Sequence, residues 1–275
     1  MDIHKPYVVA HRGARAHAPE NTLAAARLGH AEQAWMWELD TRYTKDMRLV
    51  VFHDDTLERT TDIAARPEFA ARAPWMVSDF TLEELRTLDA GSYFAEQDKY
   101  RTVESGEVTP AMIASYKGEK IPTLEEALQL VRDLDWRVNV EIKDHAENIG
   151  HDSIAEDVCG MIRRMGMAGR TILSSFQHAY LLRAAELLPE MPRAALVKEP
   201  RPEDAAAVCA AAASSYYHPK HTIVLPGDTD GLRARGILVN VWTVNTPEDM
   251  ERAISLGVNA IITDYPKRLR EMLSQ

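Results

Sequence analysis

Cysteine is scarce in this sequence: the chain of 275 residues has two, Cys159 and Cys209. Two isolated thiols support neither a disulfide framework nor a cysteine-ligated metal site. Each lies in a helix-like stretch rich in alanine or methionine, so we predict that both behave as small buried hydrophobic residues.

Long apolar runs are also missing, and no internal repeat is visible. The first residues, MDIHKPYVVAHRG, contain an apolar run that is too short for a signal-peptide core or a spanning helix. We therefore expect a cytoplasmic protein without stable membrane association. Hydrophobic residues make up 45% and charged residues 27%, which is typical of a folded domain.

Positive charge is in deficit, because 32 Lys and Arg against 42 Asp and Glu give a formal net charge of −10. This field repels nucleic-acid backbones and anionic membranes, so we expect no nucleic-acid partner. A small phosphate-bearing substrate is an anion as well. Its site must therefore reverse the field locally with a metal ion or with Arg and Lys.

Short β-branched runs alternate with segments of helical periodicity, a pattern typical of parallel strands covered by helices. With the chain length, it predicts a single (β/α)8 TIM barrel over residues 1–275. The barrel needs eight strands, but nine segments are strand-like. Residues 41–48 are too few for a crossover helix, so one connection does not fit the pattern. Which of the nine segments is surplus stays open. The segments are Tyr7 to Ala10, Met36 to Asp40, Leu49 to Phe52, Val138 to Ile142, Thr171 to Ser174, Ala194 to Val197, Ser214 to Tyr217, Leu238 to Val244 and Ala260 to Thr263.

Capping residues mark several helix starts, at Thr22, Thr123 and Thr246. Residues 54–122 interrupt the alternation with scattered Pro, Gly and charge, and within them the pattern firmly predicts one helix, Thr81 to Leu88. An insertion after an early barrel strand usually rims the active site. We expect this one near the mouth of the barrel.

Two histidines directly follow strand-like segments. His11 begins the tripeptide His11-Arg12-Gly13, and His53 begins a loop in which Asp54 either orients the histidine or only starts the turn. Both lie at the carboxyl ends of predicted parallel strands, where barrel active sites form. Histidine exchanges protons near neutral pH, and arginine can hold two phosphate oxygens. A loop-capping histidine and a solvated arginine would explain each motif taken alone.

Acidic residues occupy equivalent strand ends. Strand alternation points Glu38 and Asp40 to the same side, and two such carboxylates take up protons unless a cation compensates them. Glu141 and Lys143 also share a strand face, as a metal ligand and a phosphate clamp or as a structural ion pair. Oxygen-only ligands suit one Mg²⁺ or Ca²⁺ ion better than zinc.

These motifs occur in an order that resembles the glycerophosphodiester phosphodiesterase family from His11 to Pro266. The similar pieces are AHRG with PENTLAA, ELD, TKD, VVFHDDTLERTT, LDAG, IPTLEEAL, VEIK, SSF, VWTVN and GVNAIITDYP. Any single piece is weak, whereas the ordered set is highly specific.

The resemblance implies that His11 and His53 are the acid–base pair. It implies that the divalent ion is bound by three carboxylates, those of Glu38, Asp40 and Glu141. The implied reaction is hydrolysis of a deacylated phospholipid, such as glycerophosphocholine or glycerophosphoethanolamine, to sn-glycerol 3-phosphate and an alcohol.

Four further positions match the family pattern. Arg12 and Lys143 would hold the phosphate, and Trp242 would line the pocket for the glycerol portion unless it is plain barrel core. Glu20 would have a secondary role, near the metal site or orienting Lys143. The chain departs from the pattern at residues 62–66, where the family often has a glycine-rich turn, and at residues 97–117, which exceed the usual loop length.

Two other interpretations of the function stay open. A lysophospholipid or cyclising phosphodiesterase of the same superfamily would need an apolar entrance, which the insertion can supply or can use for its own packing. The apolar residues in question are Phe69, Trp75, Met76, Tyr93 and Phe94. A non-catalytic barrel that binds phosphorylated ligands is the alternative from a different class.

Overall fold

The computed structural model describes residues 5–144 and 153–274, and the strands within them form one sheet. The strands are β1 (Tyr7–His11), β2 (Met36–Tyr43), β3 (Leu49–Val51), β4 (Val138–Ile142), β5 (Thr171–Ser175), β6 (Arg193–Val197), β7 (Tyr216–Pro219), β8 (Leu238–Val241) and β9 (Ala260–Thr263). All except β3 pair in parallel, and β1 contacts both β2 and β9, which closes the ring. The predicted (β/α)8 barrel is confirmed.

The surplus strand is β3. It runs antiparallel to β2 and pairs with Thr41, Arg42 and Tyr43, beyond the stretch of β2 that pairs with β1. The short turn between β2 and β3 permits this pairing, since a parallel connection would need a crossover. β3 therefore extends the mouth of the barrel and carries His53 to it.

Helices surround the barrel and also occur in the insertion. They are α1 (Leu23–Ala31), α2 (Leu82–Thr87), α3 (Tyr93–Gln97), α4 (Pro110–Tyr116), α5 (Leu124–Asp133), α6 (Ile154–Arg164), α7 (His178–Leu187), α8 (Ala205–Ala211), α9 (Asp228–Arg233), α10 (Pro247–Ser255) and α11 (Pro266–Ser274). The capping predictions are confirmed: Thr22, Thr123 and Thr246 each accept a hydrogen bond from the first turn of α1, α5 and α10. Thr123 also forms the predicted capping box.

The strands bury both faces. Their outer faces pack with the helices in the main hydrophobic core, which includes both free cysteines, confirming these as buried residues. The inner faces meet in a smaller apolar plug below the mouth, formed by Val9, Met36, Ile172, Ala194, Ala260 and Ile262. The side chains of His11 and Glu38 come one pleat further along β1 and β2 than Val9 and Met36, so they lie above the plug at the carboxyl ends of these strands.

The inserted residues after β3 have a core of their own. Leu57, Ile63, Phe80 and Leu85 are among its buried members, with Phe69 and Trp75 packed against it. The predicted helix at residues 81–88 is observed as α2, but α3 and α4 were not predicted, because helices this short depend on tertiary packing. No helix in the described parts of the chain has the length and apolarity needed to cross a membrane.

Candidate active site

A cavity of about 200 Å³ opens at the carboxyl ends of the strands. Most of the predicted site residues line it, namely His11, Arg12, Glu38, His53, Glu141, Lys143 and Trp242. Asp40 and Glu20 lie behind this lining, where both are buried. The barrel thus brings together side chains that are more than 200 positions apart in the sequence.

Three buried carboxylates meet at one side of the cavity. Glu38 and Asp40 share a face of β2, and β4 pairs in a register that sets Glu141 beside Asp40. One oxygen from each of the three lies within 4.8 Å of the others. Burial, together with the charges of Asp40 and Glu141, raises the pKa of Glu38 well above its usual range. The cluster is therefore short of positive charge.

Two cations partly compensate these acids. Lys143 Nζ lies 2.7 Å from Glu141 Oε1 and 3.5 Å from Asp40 Oδ1. Arg12 Nε lies 3.3 Å from Asp40 Oδ2. Burial alone would raise the pKa of Asp40, but Lys143 and Arg12 overcome it and lower that pKa below its usual range. The ion pair between Glu141 and Lys143 that the sequence left open is observed, and both residues also line the cavity.

The turn after β1 places Arg12 in the site. Arg12 and Gly13 have positive φ angles of 55° and 89°, which direct the Arg12 N–H to Glu38 Oε2 at 2.9 Å. Gly13 lies against α1, where an added Cβ would be 2.6 Å from backbone and side-chain atoms of Ala25. The glycine is therefore required by both the backbone conformation and the close packing.

Gly13→Ala is expected to lower the free energy of unfolding by at least about 3 kcal/mol, because the new methyl group must displace α1 while φ stays positive. Gly106→Ala is the matched control, since Gly106 also has a positive φ of 79° but no atom within 4 Å of the added Cβ. It should lose about 1 kcal/mol. Urea denaturation measures both variants, and equal losses would contradict the close packing at Gly13.

Each cavity histidine is paired with a carboxylate. His11 Nδ1 lies 2.6 Å from Asp264 Oδ1, and His53 Nδ1 lies 2.5 Å from Asp54 Oδ1. In the neutral rings Nδ1 carries the proton toward the carboxylate, which leaves Nε2 as the atom that can exchange a proton with a bound molecule. Burial lowers the pKa of His11 to about 4, against the opposing effect of Asp264.

Glu20 lies at the centre of an arginine cluster. Its carboxylate accepts hydrogen bonds of 2.7 Å from Arg12 and Arg15, and of 2.8 and 2.7 Å from Arg59. Burial opposes ionisation, but these guanidinium groups lower the pKa of Glu20 well below its usual range. In the described part of the chain, Glu20 forms ion pairs with arginines and none with Lys143. Glu20 therefore orients Arg12 rather than the lysine.

Two aromatic side chains also line the cavity, Trp242 and Phe176. The Trp242 indole N–H donates to the His218 carbonyl at 2.8 Å, which fixes the ring. Phe176 meets it edge-on with ring centroids 5.5 Å apart. Both line the cavity, so Trp242 presents part of its surface to the cavity rather than serving as core alone.

Sequence reasoning missed several residues of the site. Asp264, Arg15 and Phe176 were not singled out, and Asp54 was left undecided between orienting His53 and starting a loop. Asp264 directly follows β9 and Phe176 directly follows β5, so the same strand-end rule that found His11 applied to them. Asp55, the residue after Asp54, accepts a hydrogen bond of 2.6 Å from Arg42.

Comparison with known proteins places this arrangement in one family. The protein-family model described as "Glycerophosphoryl diester phosphodiesterase family" matches residues 11–268 of the chain. The chain is 35% identical over 265 residues to a protein of Caldanaerobacter subterraneus subsp. tengcongensis named glycerophosphodiester phosphodiesterase, covering 96% of each chain.

Solved structures agree. A crystal structure of a protein from Silicibacter pomeroyi, described as a glycerophosphoryl diester phosphodiesterase, superposes with a TM-score of 0.85 at 28% identity, over 98% of this chain and 93% of the other. A phosphodiesterase from Oleispira antarctica, solved in complex with its product sn-glycerol-3-phosphate, has a TM-score of 0.81 at 25% identity, over 98% and 97% of the two chains.

Proposed function

Because the chain belongs to the glycerophosphoryl diester phosphodiesterase family and is an enzyme of that class, we propose that its substrates are deacylated phospholipids. Glycerophosphocholine or glycerophosphoethanolamine would yield sn-glycerol 3-phosphate and an alcohol. The observation that carries this proposal is the convergence of two histidine–carboxylate pairs, three buried acids and two cations on one cavity. A cytoplasmic site of action stays a prediction.

We propose that Glu38, Asp40 and Glu141 hold one divalent cation, Mg²⁺ or Ca²⁺. The donors are all carboxylate oxygens, which these ions prefer, and a bound cation would offset the burial and like charge that raise the pKa of Glu38. When bound, the ion supplies positive charge against the charge that develops on the phosphate oxygens.

Arg12 and Lys143 are proposed to hold the phosphate of the substrate. Both line the cavity beside the acid cluster, and both carry N–H donors suited to phosphate oxygens. Glu20 keeps Arg12 in place with a hydrogen bond of 2.7 Å. Together with the proposed divalent cation, these two side chains would supply the local positive field that an acidic protein needs to attract an anionic substrate.

His11 and His53 are proposed to move the protons. The nucleophilic oxygen forms the new P–O bond and gives its proton to one histidine, the P–O bond to the alcohol breaks, and the other histidine protonates the leaving oxygen. The two histidines therefore need opposite protonation states, which produces a bell-shaped pH profile. If the glycerol hydroxyl attacks instead of water, a cyclic phosphate forms, and trapping it would separate the two routes.

A lysophospholipid substrate finds less support. Of the apolar residues that the insertion can offer, Phe69 and Trp75 pack on the insertion core and Phe94 is buried. None of them lines the described cavity. A binding-only role finds no support either, because the cavity retains both histidines and all three acids.

The first test is release of sn-glycerol 3-phosphate from glycerophosphocholine and glycerophosphoethanolamine. Chelated protein is expected to be inactive, since the acid cluster would lack its cation, and adding Mg²⁺ or Ca²⁺ is expected to restore release. Full activity after exhaustive chelation would contradict metal dependence. Absence of release with either ion would redirect the search to lysophospholipids and cyclic products.

A further inference from the structure

The unusually long segment at residues 97–117 reaches the active site through Tyr100. The Tyr100 hydroxyl donates to Asp264 Oδ2 at 3.0 Å, while the other carboxylate oxygen, Oδ1, faces His11 Nδ1 at 2.6 Å. Tyr100 of the insertion is therefore linked to the cavity residue His11 through the carboxylate of Asp264.

The Asp264 carboxylate is buried, with 3% of the residue exposed, so its orientation depends on protein donors. Oδ2 accepts from Asn245 at 2.7 Å as well as from Tyr100. Arg15 Nη1 lies 3.7 Å from Oδ1, too far for a hydrogen bond. Loss of the Tyr100 hydroxyl would leave Oδ2 with the Asn245 donor alone, so the orientation of the carboxylate would be fixed less firmly.

The segment itself is fastened to the barrel. The Thr102 hydroxyl donates to the Ala16 carbonyl at 2.6 Å, and the Tyr116 hydroxyl donates to the His17 carbonyl at 2.9 Å. The Tyr100 ring also meets Tyr265 edge-on, with centroids 5.7 Å apart. Tyr100 is therefore placed by several contacts besides the one it makes with Asp264.

We propose that Tyr100 is a positioning residue for His11: its hydroxyl fixes the Asp264 carboxylate, which in turn fixes the tautomer and orientation of the imidazole. The proposal rests on the proposed function, because it assigns His11 to proton transfer. It gives the insertion a part in catalysis through Asp264, although its residues 54–122 do not line the cavity. Residues that orient a reacting group in this way typically change the rate by about tenfold or more.

The decisive variant is Tyr100→Phe, which removes one oxygen and keeps the ring contacts. Its kcat on glycerophosphoethanolamine is expected to fall about tenfold, with KM within about twofold of the wild type. Tyr116→Phe is the matched control, since it removes a hydroxyl hydrogen bond from the same segment without touching Asp264. It should retain the wild-type kcat.

A double-mutant cycle tests whether Tyr100 acts through Asp264. Asp264→Asn is expected to lower kcat about a hundredfold or more, and adding Tyr100→Phe to it should cause little further loss. A tenfold further loss in that background would overturn the proposal. So would a wild-type kcat in Tyr100→Phe, or an equal loss in Tyr116→Phe.

Nitrogen-15 spectra of the His11 ring give a readout that needs no substrate. Tyr100→Phe should shift the His11 imidazole signals away from the Nδ1-protonated form, whereas Tyr116→Phe should leave them in place. Unchanged His11 signals in Tyr100→Phe would overturn the proposal. If the wild type released no product, the proposed function would fail, and these signals alone would decide whether Tyr100 positions the ring.

Discussion

Replacing His11 or His53 with glutamine is expected to lower kcat for release of sn-glycerol 3-phosphate by about a thousandfold, the usual scale for loss of a general acid or base. Glutamine keeps polarity and approximate volume but cannot exchange a proton. Nε2 of each histidine is the nitrogen left for the substrate, because Nδ1 faces Asp264 or Asp54. Steady-state kinetics with saturating Mg²⁺ measures the effect.

Two controls accompany the histidine variants. His30→Gln changes a histidine that meets Trp136 edge-on and does not line the cavity, so its kcat should match the wild type. The double variant His11→Gln, His53→Gln should be no more than about tenfold slower than the worse single variant, because residues that act in one step lose activity non-additively. A single variant within tenfold of wild type would remove that histidine from proton transfer.

Glu38→Gln is expected to have opposite effects with and without the metal ion. In metal-free protein it removes a buried like charge beside Asp40 and Glu141, and should raise the free energy of unfolding by about 1 kcal/mol. Glutamine can still accept from the Arg12 N–H. The same change should abolish metal binding and lower kcat by about a thousandfold, because the cluster loses one of its charged ligands.

Thermal unfolding with and without Mg²⁺ or Ca²⁺ measures this prediction. At a metal concentration of about 100 Kd, wild-type protein should gain about 2.7 kcal/mol, whereas Glu38→Gln should gain nothing. Glu190→Gln, an exposed position, should behave as wild type in both conditions. A Glu38→Gln protein that is less stable without metal yet still stabilised by it would contradict a metal role for this residue.

Strand alternation and the strand-end rule predicted most of the site. They work here because eight parallel strands deliver their carboxyl ends to one mouth, so a motif such as Glu38-Leu39-Asp40 or His11-Arg12 is placed by its position on its own strand. The resemblance added the roles. Neither the strand patterns nor the resemblance required knowing which helix packs against which strand.

The contacts that orient these groups could not be predicted in the same way. Glu20 binds three arginines, and Asp264 after β9 binds His11 at the end of the neighbouring strand β1; such pairings depend on side-chain directions after closure. The antiparallel pairing of β3 depends on the short turn between residues 43 and 49 rather than on its apolar composition. The insertion was hardest, since its short helices α3 and α4 are stabilised by tertiary packing against α1.

The two ends of the long inserted segment lie side by side. The Ala90 N–H donates to the Glu119 carbonyl at 2.8 Å, and the Gly118 N–H donates to Asp89 Oδ2 at 3.1 Å. Loop-closure entropy changes slowly with length, so the residues between these anchors can be shortened, lengthened or exchanged without moving a barrel strand. The segment supplies no residue to the lining of the cavity and is thus a replaceable module as long as Tyr100 is kept: a graft between residues 91 and 117 that retains this tyrosine should leave the acid cluster, Arg12 and Lys143 in place.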